Sequence, residues 1–234
     1  MKCVHISVWR AGIGLVTLWA ALALAAAQAQ GPSNPLLDPG SEAMKKQAPA
    51  VFIARLETSK GDILIEVHRE WAPHGADRFY NLVRNGYYND CRFFRVIKNF
   101  MAQIGIHGDP AVSAAWRPAN ILDDLVKRSN TRGYVTFAQT GSPNSRTTQF
   151  FINFKDNSSL DNQRFAPFGK VVQGMEVVDA LHAGYGEGAP RGAGPEQMQL
   201  VQQGNSYLAQ SFPKLDYVKT CSVLREGPYE AGKK

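Results

Sequence analysis

In RFFRVIKNFMAQIG, residues 92–105, Arg95 stands between Phe93-Phe94 and Val96-Ile97, and Phe100, Met101 and Gln103 follow within one further turn and strand. A strand buried on both faces gains nothing from an unpaired guanidinium, because removing that charge from water is costly. Arg95 therefore has to face an opening or a partner. Its residue type narrows the chemistry: arginine is a donor that keeps its charge at every physiological pH, suited to a site where a lone pair develops in a transition state. Phe100 and Met101 place apolar surface beside it, and Gln103 places an amide. A second amide, Gln149, precedes Phe150 and Phe151. Amides on otherwise apolar strands need partners, either in the protein or in a ligand.

Competing chemistries find little support. The five histidines, His5, His68, His74, His107 and His182, are scattered, and neither Cys91 nor Cys221 has zinc-ligand spacing, so no metal is expected. Cys91 leads into a plain strand rather than a nucleophile setting, and Ser142-Pro143-Asn144-Ser145 lacks the glycines of a nucleophile elbow. GYGEGAPRGAG (184–194) follows one helical pattern and precedes another, the wrong context for a phosphate-binding loop, and is read as a surface loop. Cys91 and Cys221 leave a disulfide and two isolated buried thiols equally open.

The elements that must position these residues are mostly strands. VFIARLET (51–58) and DILIEVH (62–68) flank a turn and read as a hairpin. After Pro73, Ala76, Phe79, Leu82 and Val83 recur at helical spacing up to Gly86. RFFRVI, FMAQIG, YVTFAQ (134–139), QFFINF (149–154) and FGKVVQ (168–173) are short strands. Met175–His182 predicts a second helix, residues 195–210 a third, and LDYVKTCSVL (215–224) a closing strand. Many strands and few helices predict a mainly β fold, a closed barrel or a sandwich capped by helices.

The ends differ from this middle. Lys2 and Arg10 precede the uncharged run AGIGLVTLWAALALAAA, and Ala27-Gln28-Ala29 offers a cleavage site, so residues 1–29 predict a secretory signal; left uncleaved, the same run would be an N-terminal anchor. Residues 30–48, rich in Pro, Gly and Ser, predict a flexible linker, 49–225 the domain and 226–234 a tail. The formal charge of +6 falls to +4, 24 basic against 20 acidic groups, once residues 1–29 are removed. The positive groups form no stripe, which argues against a nucleic-acid partner. The expected location is periplasmic or secreted.

FFRVIKNFMAQIG, GYVTFAQTGSPNSRTTQFFINF and SSLDNQRFAPFGKVVQGMEVVD, in this order, resemble the cyclophilin family of peptidyl-prolyl isomerases, and the resemblance runs from about Val51 to Val223. It implies a closed eight-stranded antiparallel barrel capped by helices, acting without cofactor or metal on Xaa-Pro bonds of unfolded or flexible polypeptides, as a monomer that assists folding of exported chains. By motif, Arg95 matches the family's catalytic arginine, with Gln103 beside it. Phe100, Met101, Gln149, Phe151 and Leu160 match its substrate pocket, and Ala138 and Gln139 the backbone that grips the peptide. Phe165 falls where many members have histidine, Ser159 where many have tryptophan, and AVSAAWRPANILDD (111–124) replaces a glycine-rich loop. The other reading that the residues allow is a module that holds proline segments with little turnover; a transition-state donor such as Arg95 is needed only by the enzyme.

Overall fold

The computed structural model describes residues 34–232; the run expected as a signal, residues 1–29, lies outside them. Eight antiparallel strands form one sheet: β1 (Val51–Thr58), β2 (Gly61–His68), β3 (Arg95–Ile97), β4 (Met101–Ile104), β5 (Tyr134–Phe137), β6 (Phe150–Asn153), β7 (Pro167–Gln173) and β8 (Val218–Glu226), in the spatial order β3-β4-β6-β5-β7-β2-β1-β8. Among the described residues the α-helices are α1 (Pro73–Arg84), α2 (Pro110–Trp116), α3 (Met175–Asp179), α4 (Gln197–Gln203) and α5 (Asn205–Ser211).

The expected closed barrel is an open half-barrel. β3 and β8 are the sheet's two edges and share no ladder. The reason is local: β3 has three residues, and the start of β8 is reached only by the residues before β3, through separate bonds and not a ladder, Phe93 N–H to the Asp216 carbonyl at 2.9 Å and the Cys91 carbonyl to Val218 N–H at 3.0 Å. Arg92 and Tyr217 form an isolated bridge across this gap.

The concave side is filled by side chains that alternate along each strand. Val96, Ala102, Ile104, Phe150 and Ile152 join Phe52, Leu56, Ile65 and Val67 in the main core, while the residues between them, Ile97, Met101 and Phe151, gather in a separate cluster on the other face. That is the period-two geometry of a pleated strand. α1 covers the core with Ala76, Phe79, Leu82 and Val83, the helical stripe expected of it, and the Phe79 ring lies 4.9 Å from that of Phe168 and 5.3 Å from that of Phe150. Phe94 goes to a satellite cluster with Ile106, Leu200, Leu208 and Leu215, under α4 and α5.

One expectation is revised and one open alternative is resolved. Residues 34–48 do not behave as a linker: they form 3-10 turns at Pro35–Leu37 and Glu42–Met44, and Met44 and Ala48 are buried in the main core. Asn81 pins them, its side chain accepting from Lys46 N–H at 3.2 Å and donating to the Lys46 carbonyl at 2.7 Å. Cys91 and Cys221 are buried as free thiols, and burial raises both, Cys221 to about 11.

Candidate active site

Strand register brings the polar residues of the first motif together. Arg95 pairs with Gln103 across β3 and β4, and Gln103 with Phe151 across β4 and β6. Side chains directly opposite on one face are neighbours, so Arg95 Nη1 donates to Gln103 Oε1 at 2.9 Å, and Gln103 Nε2 donates to Gln149 Oε1 at 2.9 Å. The amides that the apolar strands left without partners thus complete a chain ending on the guanidinium. Gln149 is held close because β4 is followed by Gly105, whose φ is +116° and whose missing Cβ would lie 2.5 Å from the Thr148 carbonyl and 2.7 Å from Gln149 Cα. Only glycine tolerates that backbone and that approach.

Beside this polar chain is an apolar cup. Met101, Phe151 and Leu160 are buried against one another, with Ile97, Phe100, Ala138 and Phe165 packed around them. The Phe151 and Phe165 rings meet edge to face at 5.7 Å, and Arg95 lies 6.0 Å from the centroid of the Phe100 ring. Phe100 sits in the β3–β4 turn, and its carbonyl accepts from Phe154 N–H and from Asn157 Nδ2, both at 2.9 Å. Leu160 lies within a 3-10 turn, Ser158–Gln163, and Phe165 just beyond its end. The fully buried Asn130 fastens that turn to β5, donating to Asp161 at 2.7 Å and to the Phe165 carbonyl at 2.8 Å while accepting from Thr136 at 2.8 Å. Satisfied buried amides of this kind fix a geometry, because loss of any partner leaves an unpaired group.

Cup and polar chain open into one groove of about 750 Å³. All ten residues singled out from the sequence line it: Arg95, Phe100, Met101, Gln103, Ala138, Gln139, Gln149, Phe151, Leu160 and Phe165. Ala138 is anchored by its N–H to the Gln149 carbonyl at 2.9 Å, and the Gln139 side chain donates to the Gln163 carbonyl at 2.6 Å. Ser159 is exposed and is not part of the groove lining.

The opposite wall was not foreseen. The loop after α3, read as plain surface, contributes Glu187, Gly188, Ala189, Pro190 and Arg191 to the groove. The Glu187 carboxylate accepts from Arg95 Nε and Nη2 at 2.6 Å each, and that donation holds its carboxyl below the ordinary glutamate range. No local spacing could signal a pair 92 positions apart. The one hint was a lone acidic residue within a run of glycines.

A family model for cyclophilin-type peptidyl-prolyl cis-trans isomerases matches residues 53–202. A peptidyl-prolyl cis-trans isomerase of Acinetobacter baylyi is 37% identical over 146 residues, 61% of this chain and 78% of that protein. Peptidyl-prolyl cis-trans isomerase B of Escherichia coli is 32% identical over 169 residues, 69% of this chain and 92% of that one. Among solved structures, a Cryptosporidium parvum cyclophilin-type isomerase superposes with a TM-score of 0.55 at 20% identity, covering 76% of this chain and 99% of its own. That fold has also been determined in the presence of the dipeptide Ala-Pro.

Proposed function

Since the chain belongs to the cyclophilin-type family and is a peptidyl-prolyl cis-trans isomerase, we propose that Arg95 is its catalytic donor and that its substrates are proline-containing segments of exported, unfolded polypeptides. An Xaa-Pro bond rotates over tens to hundreds of seconds because amide resonance sets a barrier of ~20 kcal/mol. No covalent bond has to break. As the amide twists, the proline nitrogen loses conjugation and gains a basic lone pair. A guanidinium aimed at it stabilises the twisted state more than either planar one, which is what lowers a barrier. The pyrrolidine ring fits the cup of Phe100, Met101, Phe151 and Leu160, and Phe165 closes its far side. Gln103 both holds the arginine and offers its amide to a substrate carbonyl, supported by Gln149. The backbone of Ala138 and Gln139 aligns the peptide along the groove. The observation that carries this reading is the single groove in which a permanently charged donor stands beside that cup.

The experiment is a protease-free turnover assay on an Xaa-Pro tetrapeptide. Exchange faster than the uncatalysed rate, at enzyme concentrations far below substrate, is the expected result. Tight binding with no acceleration would favour the proline-holding module instead. Export and the folding role rest on residues 1–29. N-terminal sequencing of protein from the cell's exterior fraction should begin at Gln30; a chain recovered with Met1 intact in the cytosol would remove both.

A further inference from the structure

Glu187 occupies one edge of the Arg95 guanidinium. Its two oxygens take Nε and Nη2 at 2.6 Å each, and Gln103 takes Nη1 at 2.9 Å. A guanidinium carries five N–H groups, so one on Nη1 and one on Nη2 stay free for another acceptor. The carboxylate is itself held. Gly188 N–H donates to its Oε1 at 3.0 Å, and Gly194 N–H donates to the Glu187 carbonyl at 2.8 Å. The residue before it, Gly186, bridges to Val96, the residue after Arg95. Loop and strand are therefore one framework around the arginine.

An ion pair this accessible, with side chains 22% and 31% exposed, adds little to stability. What a two-oxygen grip on one edge does supply is direction, since it fixes both the plane of the guanidinium and its rotation. We propose that Glu187 is a positioning residue of the isomerase: by holding Nε and Nη2 it aims the free N–H groups of Nη1 and Nη2 into the groove, toward the proline nitrogen. The inference rests on the isomerase reading. A long arginine stem otherwise samples many rotamers, and a donor aimed in advance needs no reorganisation when the amide twists. The same geometry argues against a loop that merely plugs the groove, because Glu187 takes the Nε–Nη2 edge and, even with Gln103 on Nη1, one N–H on each of Nη1 and Nη2 has no partner among the described residues.

The test compares wild type, E187A, E187Q, R95A and the R95A/E187A double variant in the tetrapeptide assay, with circular dichroism and thermal melting on each. E187A should lose about tenfold in kcat, or about 1.4 kcal/mol, with KM within about twofold. E187Q keeps one acceptor oxygen and should lose less; it also carries the test if E187A folds poorly. The double variant should be no slower than R95A alone, because a residue that acts through Arg95 has nothing left to position. E187A turning over at the wild-type rate or faster would overturn the inference, as would a double variant slower again than R95A. An inactive wild type would overturn the isomerase reading and this one with it, so the two failures are distinguishable.

Discussion

The groove has two sides built in different ways. Its floor is strand: Arg95, Met101, Gln103 and Phe151 project from β3, β4 and β6, and their positions follow from register, so that moving one requires sliding a ladder. Its far wall is the loop at 184–194, tied to the floor by the Val96–Gly186 bridge and by the grip of Glu187 on Arg95. The floor stores its geometry in the fold's stability, whereas the wall does so in a few polar contacts, the usual division between scaffold and loop. Changes to the buried floor residues Met101, Gln103 and Phe151 should therefore cost folding as well as function, whereas changes to the wall, and to the part-exposed Arg95 that it grips, should cost mainly function.

The sharpest break is G105A. A methyl group at φ +116°, 2.5 Å from the Thr148 carbonyl, should destabilise the protein by about 3 kcal/mol, read as a fall in the denaturation midpoint, and should displace Gln149 with it. F151A comes next. Emptying the middle of the cup should weaken proline binding by about 2 kcal/mol, roughly thirtyfold in KM, and should lower Tm as well. Q149L leaves Gln103 Nε2 without its acceptor; a loss of about fivefold in kcat/KM is expected, from about 1 kcal/mol of unpaired amide.

The smallest effect belongs to the wall. Because donation by Arg95 lowers the Glu187 carboxyl, the stabilisation from that pair is fully present above the ordinary unfolded glutamate pKa, near 4.5, and is lost as pH falls through the lower folded value. Wild type should melt only about 1–2 °C above E187Q at neutral pH. That gap should hold through mild acid and close below pH ~4. A gap that widened on acidification would contradict the pairing.

What could be read in advance divides along the same line. The β1–β2 hairpin and α1 were plain because their apolar periods, two and about 3.6, are local properties. Ten residues that line the groove could be named in advance because sequence motifs carry them; register then places Arg95, Met101, Gln103 and Phe151, and turn contacts such as those of Asn130 place Leu160 and Phe165. β3 was expected over residues 92–97 and spans only Arg95–Ile97, since Phe93 bonds to Asp216 on a distant segment. α2 was missed: PAVSAAW is short and mixes small residues, and only the Asp109 side chain, accepting from Ala111 N–H at 2.8 Å, marks its start. The helix expected over 195–210 is two, α4 and α5, broken at Gly204, where φ is +63° and a Cβ would lie 2.0 Å from the Gly108 carbonyl. Glu187 stayed hidden because its partner is set by the closure of the groove and not by any neighbour in sequence.

The central claim is that Arg95 supplies a donor to the twisting amide, and turnover of R95A and R95K beside wild type tests it most directly. R95A should keep its fold and its affinity for proline peptide within about threefold while kcat/KM falls on the order of 10²–10³-fold, the loss typical of removing one aimed transition-state donor. R95K should recover little, because an ammonium reproduces neither the planar fork nor the grip of Glu187. An R95A protein that turns over within a few-fold of wild type would contradict the account.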